Sequence, residues 1–278
     1  MTEKIYQAAV CNICGGTEYR RVHYFKDWNF GRDRVQDVRI IQCKKCGVRR
    51  RMPEIIDDYE AEYHAPYVEQ GQSIHPHQLQ HFAQLMTARL RQFNARDLSF
   101  LDVGCSTGRA LKLAATMGFK VVGLDYSRWA ADYCAKMGFA TRQGSLLGQW
   151  PEGEQFDIIH CSHVIEHVPD PVAYLKEMHR LLKPGGHLML ACPNYASLPR
   201  LLEREKWIWC LDSHLWQFTA RQMRKLLINQ GFTIVSLKTY HGLTPNNRWK
   251  RRALDLSELL GCADALNIIA LKTQTCPE

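Results

Sequence analysis

A chain of 278 residues, 46% of them hydrophobic, is long enough for one sizeable core plus a small accessory module, which excludes a disordered protein. No apolar run approaches the roughly 20 residues that span a bilayer, and the N-terminus lacks a secretory signal, so we expect a cytoplasmic protein. The formal net charge of +8 fits either an anionic partner or ordinary surface charge. Its densest basic clusters are residues 49–51 and 250–252.

The first predicted unit is a metal-binding module at residues 1–52. It contains two Cys-x-x-Cys pairs, each followed by a glycine: Cys11, Cys14, Cys43 and Cys46. Four thiolates satisfy tetrahedral Zn²⁺, and residues 19–25 and 38–42 alternate between the pairs like short strands. Because a closed shell of four cysteines leaves no open coordination position, the pattern predicts a structural zinc ribbon. The alternative is four unrelated buried cysteines.

Residues 53–98 predict a linker followed by a leading helix. Pro66, Gly71 and Pro76 favour a loop in the first part. From Gln78 onward, apolar residues recur at spacings of three and four, as they do along one face of a helix. These residues are Leu79, Phe82, Met86, Leu90 and Phe93. The pattern indicates a helix that packs on the core.

From Ser99 onward the chain alternates strands and helices through residues 99–278. The predicted strands occupy residues 99–103, 120–124, 156–161, 187–192, 232–237 and 266–271. Helices begin after three capping residues, Ser127, Asp170 and Thr219. This alternation predicts an α/β, Rossmann-like core with a mostly parallel seven-stranded sheet, whose ligands lie at the carboxyl ends of the strands. Residues 193–218 and 241–264 are predicted insertions in this core.

A glycine-bearing turn follows the first strand of the core, at Gly104 to Gly108. The turn lacks the Gly-x-Gly-x-x-Gly fingerprint of dinucleotide sites, and Asp102 beside it would repel a pyrophosphate. A carboxylate there favours the ammonium and sulfonium groups of S-adenosylmethionine. Asp125 ends the second strand, where its carboxylate can accept two hydrogen bonds from a ribose diol. The pattern therefore predicts S-adenosylmethionine as the cofactor.

These motifs resemble those of class I S-adenosylmethionine-dependent methyltransferases. Residues 102–108 are similar to motif I and residues 123–127 to motif II. Residues 156–171 resemble the strand-four region, in the Glu-His-x-x-Asp-Pro variant of quinone- and polysaccharide-pathway enzymes, and residues 181–186 resemble the turn that follows. Together with the N-terminal cysteines, the chain is similar to methyltransferases of sugar, cell-surface and quinone biosynthesis.

The resemblance implies which residues contact the cofactor. They are Asp102, Gly104, Cys105, Ser106, Gly108, Asp125, Tyr126, Ser145, Leu146, Ser162 and His163. Two of them depart from the family pattern. Ser106 stands where many members have a glycine, and Ser145 stands where many have an acidic residue that faces the adenine. A serine hydroxyl can serve the second contact.

Three histidines are candidate general bases for an alcohol acceptor: His167, His214 and His163, in that order. His163 and His167 follow the fourth-strand motif with Glu166 between them, and alternatives for this group are metal binding or bracing of the loop. His214 lies in the 193–218 insertion among Trp207, Trp209 and Trp216. That insertion is either a lid over the acceptor or a segment whose tryptophans pack on the sheet.

The predicted function is S-adenosylmethionine-dependent methylation of a small molecule, at an oxygen of a sugar, lipid-linked or natural-product intermediate. The acceptor is expected to be anionic or lipid-linked. The basic cluster at residues 250–252 would meet such an acceptor or a membrane surface, or it forms a solvated basic face. The first alternative is an RNA methyltransferase that grips nucleic acid with its zinc module and arginines, but Arg49–Arg51 lacks the interleaved aromatics of a stacking surface. The second is a non-enzymatic binding module, which the intact Asp102, Gly104, Gly108 and Asp125 disfavour.

Overall fold

The computed structural model describes residues 5–7, 10–29, 34–52, 98–203, 207, 214–241 and 248–273. The predicted leading helix and its apolar stripe, residues 79–93, lie outside the described residues, as does Trp209 of the predicted lid. Within the described part, no helix is both long enough and apolar enough to cross a bilayer.

The N-terminal residues form an antiparallel sheet around the two cysteine pairs. Its strands are β1 (Ile5–Gln7), β2 (Glu18–Asn29), β3 (Arg34–Cys43), β4 (Arg49–Met52) and, from far along the chain, β10 (Trp216–Gln217). They are hydrogen-bonded in that order. The two short strands predicted between the cysteine pairs are present as β2 and β3, and both are longer than predicted.

The core is a seven-stranded sheet, as the sequence predicts. Its seven strands are β5 (Ser99–Val103), β6 (Lys120–Asp125), β7 (Ala140–Gln143), β8 (Phe156–Ser162), β9 (Leu182–Pro193), β11 (Phe232–Tyr240) and β12 (Ala265–Lys272). The order is β11-β12-β9-β8-β5-β6-β7. Strands β7, β6, β5, β8 and β9 run parallel, and β12 lies antiparallel to both of its neighbours. The predicted Rossmann-like methyltransferase architecture is confirmed.

Six helices accompany these strands in the described part of the chain: α1 (Arg109–Thr116), α2 (Arg128–Lys136), α3 (Pro171–Leu181), α4 (Leu198–Glu203), α5 (Ala220–Asn229) and α6 (Arg248–Leu259). The three predicted caps are present, because the side chains of Ser127, Asp170 and Thr219 accept backbone hydrogen bonds from the first turns of α2, α3 and α5. Thr219 and Gln222 form a reciprocal capping box. These caps fix where the helices begin beside the strand ends.

Three features differ from the prediction. β7 is an additional edge strand, half exposed and with little apolar alternation to reveal it. β9 begins at Leu182, so the turn predicted at residues 183–186 lies within the bounds of this strand, where its pairing with β8 is irregular and Gly185 has φ 73°. Lys183 pairs there with Asp157 at 2.6 Å. β10 pairs with β4, so the N-terminal sheet takes its fifth strand from the methyltransferase core.

The insertion at residues 193–218 packs against the body of the protein at both described tryptophans. Trp207 and Trp216 are almost fully buried. The indole of Trp207 donates to Asp264 at 2.7 Å, and Asp264 in turn binds His241, whose other ring nitrogen contacts Ser257 of α6. The packing interpretation therefore holds for these two tryptophans, and the buried network ties both insertions to the end of the sheet.

Candidate active site

The turn after β5 has the backbone that a close approach to a ligand requires. Gly104 and Gly108 have φ values of 75° and 72°, and Ser106 between them has φ 48°, in the left-handed region. A Cβ at Gly104 would lie 2.4 Å from Cγ2 of Val164, which follows β8. The backbone N–H groups of Gly104 and Cys105 both donate to the carbonyl of Leu124 on β6. The turn is thus held tightly between the ends of β6 and β8.

Asp125 lies at the end of β6 and supports this turn. Its carboxylate accepts hydrogen bonds from the backbone of Ser106 at 2.8 Å and of Ser127 at 2.9 Å. Burial raises the pKa of Asp125, and these two backbone donors oppose the rise. Each oxygen has a second lone pair, and the contact of Asp125 with a ribose diol stays a prediction.

Asp102, predicted to face the cofactor's positive charges, is buried and binds a histidine of the neighbouring strand. Nδ1 of His160 on β8 lies 2.7 Å from Oδ1 of Asp102, and the two residues are partners in the parallel register. The sequence analysis missed His160. Its pairing with Asp102 could have been predicted from its position two residues before the end of β8, because β5 and β8 are adjacent strands in the resembled fold.

The other residues predicted to bind the cofactor divide by the direction of their side chains. Tyr126 is 54% exposed at the strand ends, so its ring is accessible to a ligand. The hydroxyl of Ser145 lies 2.8 Å from the hydroxyl of Tyr174 on α3. Cys105 and Leu146 have side chains buried in the core, so only their backbones can face a cofactor.

His163 is fixed on both sides of its ring at the carboxyl end of β8. Nδ1 lies 3.2 Å from Glu166 and Nε2 lies 3.1 Å from the hydroxyl of Tyr240 at the end of β11. Because a carboxylate only accepts, Nδ1 donates to Glu166, and Nε2 is hydrogen-bonded to the hydroxyl of Tyr240. Burial raises the pKa of Tyr240, which keeps that hydroxyl protonated. Ser162, the other predicted contact here, is half-buried at the strand end.

Glu166 lies at the centre of a histidine cluster and is fully buried. Burial by itself would raise its pKa, but the hydrogen bond from His163 and the charges of His163, His167 and His214 lower the pKa to about 2. The second carboxylate oxygen accepts no hydrogen bond from the described residues. Glu166 is therefore an ionised, buried carboxylate that lies among the three histidines.

The insertion and the β8 motif meet at this cluster. Ligand atoms of Glu166, His167 and His214 lie within 4.8 Å of one another, and the two imidazole rings meet edge to face at 4.7 Å. The backbone N–H of Trp216 donates to the carbonyl of Glu166, which holds His214 in place. His167 is half-buried and His214 is 2% exposed. This arrangement can exchange a proton with a bound acceptor, and its donor set is also one that holds a metal ion.

The four paired cysteines converge at one point of the N-terminal sheet. Their sulfurs lie within 4.8 Å of one another, with Cys11 and Cys46 at 3.8 Å and Cys14 and Cys43 at 3.5 Å. A tetrahedral zinc ion with Zn–S bonds of about 2.3 Å places its sulfurs about 3.8 Å apart. The glycine after each pair adopts positive φ, as the tight turns require. The geometry fits Zn²⁺.

The comparisons with known proteins agree with this fold and with the predicted family. Residues 75–237 match a family model described as a methyltransferase domain. The ubiquinone biosynthesis O-methyltransferase of Dinoroseobacter shibae is 30% identical over 178 residues, covering 58% of this chain and 71% of the relative. The enzyme of the same name from Parvibaculum lavamentivorans is 36% identical over 104 residues, 35% of this chain, and this match spans only 41% of the relative's length.

Solved structures share the architecture at lower identity. In the complex between the Haloferax volcanii Trm112 methyltransferase activator and a methyltransferase, the matching chain has a TM-score of 0.60 and 17% identity, and the match covers 79% of this chain and 100% of that one. An S-adenosylmethionine-dependent methyltransferase of Mesorhizobium loti has a TM-score of 0.51 and 19% identity over 68% of this chain and 98% of that one. The chain belongs to the methyltransferase domain family, and the resemblance to class I S-adenosylmethionine-dependent methyltransferases is confirmed.

Proposed function

We propose that this protein transfers the methyl group of S-adenosylmethionine to an oxygen atom of a small-molecule acceptor. Family membership and the relatives named O-methyltransferases support the reaction class. The observation that carries the assignment to oxygen is the cluster of Glu166, His167 and His214. Val164, two residues earlier, lies against the cofactor turn at Gly104, so the cluster borders the end of the sheet where the methyl donor is expected.

His167 is the proposed general base. An alcohol needs to lose its proton as it attacks the sulfonium methyl, and an imidazole accepts a proton near neutral pH. His167 is half-buried, whereas the adjacent His214 is nearly fully buried. The ionised Glu166 stabilises the imidazolium that forms, and His163 holds Glu166 in place. The bound cofactor supplies the activated methyl group, and the chain supplies alignment and proton removal.

Three accompanying features belong to the same proposal. Cys11, Cys14, Cys43 and Cys46 hold one structural zinc ion. The chain divides into a zinc module at 1–52, a linker with a leading helix at 53–98, and the methyltransferase core at 99–278. We assign the protein to the cytoplasm, where a reducing environment keeps thiols free, and the described cysteines form no disulfide.

Cofactor binding and methyl transfer test the proposal separately. S-adenosylhomocysteine, the demethylated product, should raise the melting temperature and NAD should not. In single-turnover assays with phenolic and sugar hydroxyl acceptors, His167→Ala should lose about 10²–10⁴ in rate at unchanged S-adenosylhomocysteine affinity. His179→Ala, a remote histidine on α3, is the matched control. NAD binding without S-adenosylhomocysteine binding would refute the cofactor assignment.

The base assignment has its own contradicting outcomes. His167→Ala at the wild-type rate would show that the acceptor needs no histidine base. Loss of activity with a chelator, restored by a divalent ion while the four cysteines keep their zinc, would assign the cluster of Glu166, His167 and His214 to metal binding instead. The alternative of RNA methylation predicts transfer to RNA in the same assay and none to small molecules.

A further inference from the structure

Two arginines from distant parts of the chain meet over one tyrosine ring. Cζ of Arg49, on β4 of the N-terminal sheet, lies 4.5 Å from the ring centroid of Tyr195, which follows β9. Cζ of Arg200, on α4, lies 4.0 Å from the same centroid. Tyr195 is itself 6% exposed. The structure therefore gathers two permanent positive charges on one buried aromatic side chain, at the boundary between the N-terminal sheet and the core.

Nothing in the described part of the chain neutralises these two charges. Arg49 and Arg200 make no ion pair with a carboxylate there, and Nε of Arg49 is buried without an acceptor. Burial lowers the pKa of Arg49, and the charges of Arg200 and Arg20 lower it further against the opposing effect of Tyr195. Like charges repel, and an arginine on an open surface would turn toward water, so this pairing is costly without an anion.

The remaining contacts of Arg200 orient its guanidinium without neutralising it. It donates to the hydroxyl of Tyr195 and, at 2.7 Å, to Nε2 of His23 on β2. Because arginine only donates, Nε2 of His23 accepts, and a neutral imidazole adds no negative charge. The guanidinium is thus held in a fixed position with donors to spare, as a site built for an oxyanion requires.

The location relates these arginines to the histidine cluster. Arg49 is the strand partner of Gln217, and the backbone N–H of Tyr195 donates to the carbonyl of Phe218. Gln217 follows His214 by three residues, which separates their Cα atoms by at most about 11 Å. A molecule with a hydroxyl at His167 and a negative group several bonds away can therefore reach both places.

We propose that Arg49 and Arg200, over the ring of Tyr195, bind an oxyanion of the acceptor, either a phosphate or a carboxylate. This inference rests on the proposed function. The planar guanidinium groups can each donate two parallel hydrogen bonds to such a group. The acceptor is then an anionic molecule whose hydroxyl is methylated at the histidine cluster. The N-terminal sheet contributes Arg49, so it forms part of the acceptor site.

The test is calorimetric titration of the full-length, zinc-loaded protein with inorganic pyrophosphate, in saturating S-adenosylhomocysteine at constant ionic strength. Arg49→Gln and Arg200→Gln should each weaken pyrophosphate binding at least tenfold and leave the affinity for S-adenosylhomocysteine unchanged. Arg224→Gln, an exposed arginine of α5, is the matched control and should bind as the wild type does. Glucose 1-phosphate and glucuronate, titrated in the same way, distinguish a phosphate from a carboxylate.

Three outcomes would overturn the proposal. The wild type binds none of the three anions, or Arg224→Gln weakens binding as much as the two site variants, or these variants lose S-adenosylhomocysteine, which would assign the arginines to the cofactor. If Arg49→Gln fails to fold, Arg200→Gln, half-buried on a surface helix, gives the answer alone. Anion binding is measured without methyl transfer, so this proposal can fail while the methyltransferase function stands.

Discussion

Gly104→Ala tests how closely the turn from Gly104 to Gly108 is packed against the loop after β8, which bears the proposed base His167. Gly104 has φ 75°, a conformation that costs a residue with a Cβ about 1–2 kcal/mol. The added Cβ would also lie 2.4 Å from Cγ2 of Val164, so either the turn or the loop after β8 must move. Overpacking of this kind costs about 1–3 kcal/mol.

The two costs together predict a loss of about 2–5 kcal/mol in the free energy of unfolding. Gly138→Ala separates them, because Gly138 has φ 88° and a Cβ there would meet nothing within 4 Å. This control should lose only the conformational cost of about 1–2 kcal/mol. Because the turn is displaced, Gly104→Ala should also weaken S-adenosylhomocysteine binding at least about tenfold, or 1.4 kcal/mol.

Urea unfolding of the zinc-loaded protein measures the stabilities, and calorimetry measures the affinity for S-adenosylhomocysteine. Val164→Ala in the Gly104→Ala background removes the clashing methyl group, so the double variant should recover part of the loss relative to the sum of the single changes. The reasoning is refuted if Gly104→Ala is no more costly than Gly138→Ala, or if the double-mutant cycle shows no coupling.

Two further predictions concern the metal and the buried carboxylate. Purified protein should contain one zinc ion per chain. The variant Cys43→Ser should lose this zinc and the turnover of the acceptor, but it should still bind S-adenosylhomocysteine. Elemental analysis that finds no zinc in the wild type would contradict this prediction. Ionised Glu166 should stabilise the folded state, because its pKa there is about 2, below the ordinary 4.5. Its contribution of about 3 kcal/mol to the free energy of unfolding is present above pH 4.5 and is lost as the pH falls through 2. Glu166→Gln should abolish this dependence in urea unfolding between pH 2 and 6, and parallel curves for the two proteins would disprove it.

Local patterns were sufficient to predict much of the fold. Ser127, Asp170 and Thr219 cap helices where their residue types predicted, because a cap is a contact between neighbours in sequence. Apolar segments predicted most of the strands of the core sheet, because this pattern is also local in the sequence. β7 was missed because an edge strand with half-exposed residues carries no apolar run.

Contacts between distant residues account for what the sequence did not reveal. The partnership of His160 with Asp102 depends on the adjacency of two strands, and that of His163 with Tyr240 joins residues 77 positions apart. Arg49–Arg51 read as a basic surface cluster, yet Arg50 and Arg51 are buried. Their burial follows from the pairing of β4 with β10, which no local pattern in either segment indicates.

β10 has only two residues, and its register comes from its hydrogen bonds to β4. A strand this short does not persist unless a partner holds it, and its partner is made more than 160 residues earlier in synthesis. A segment made early in synthesis thus serves as the template on which the short strand beside Glu166 is later laid down. Neither part can be exchanged freely for another sequence, because the two together complete one sheet.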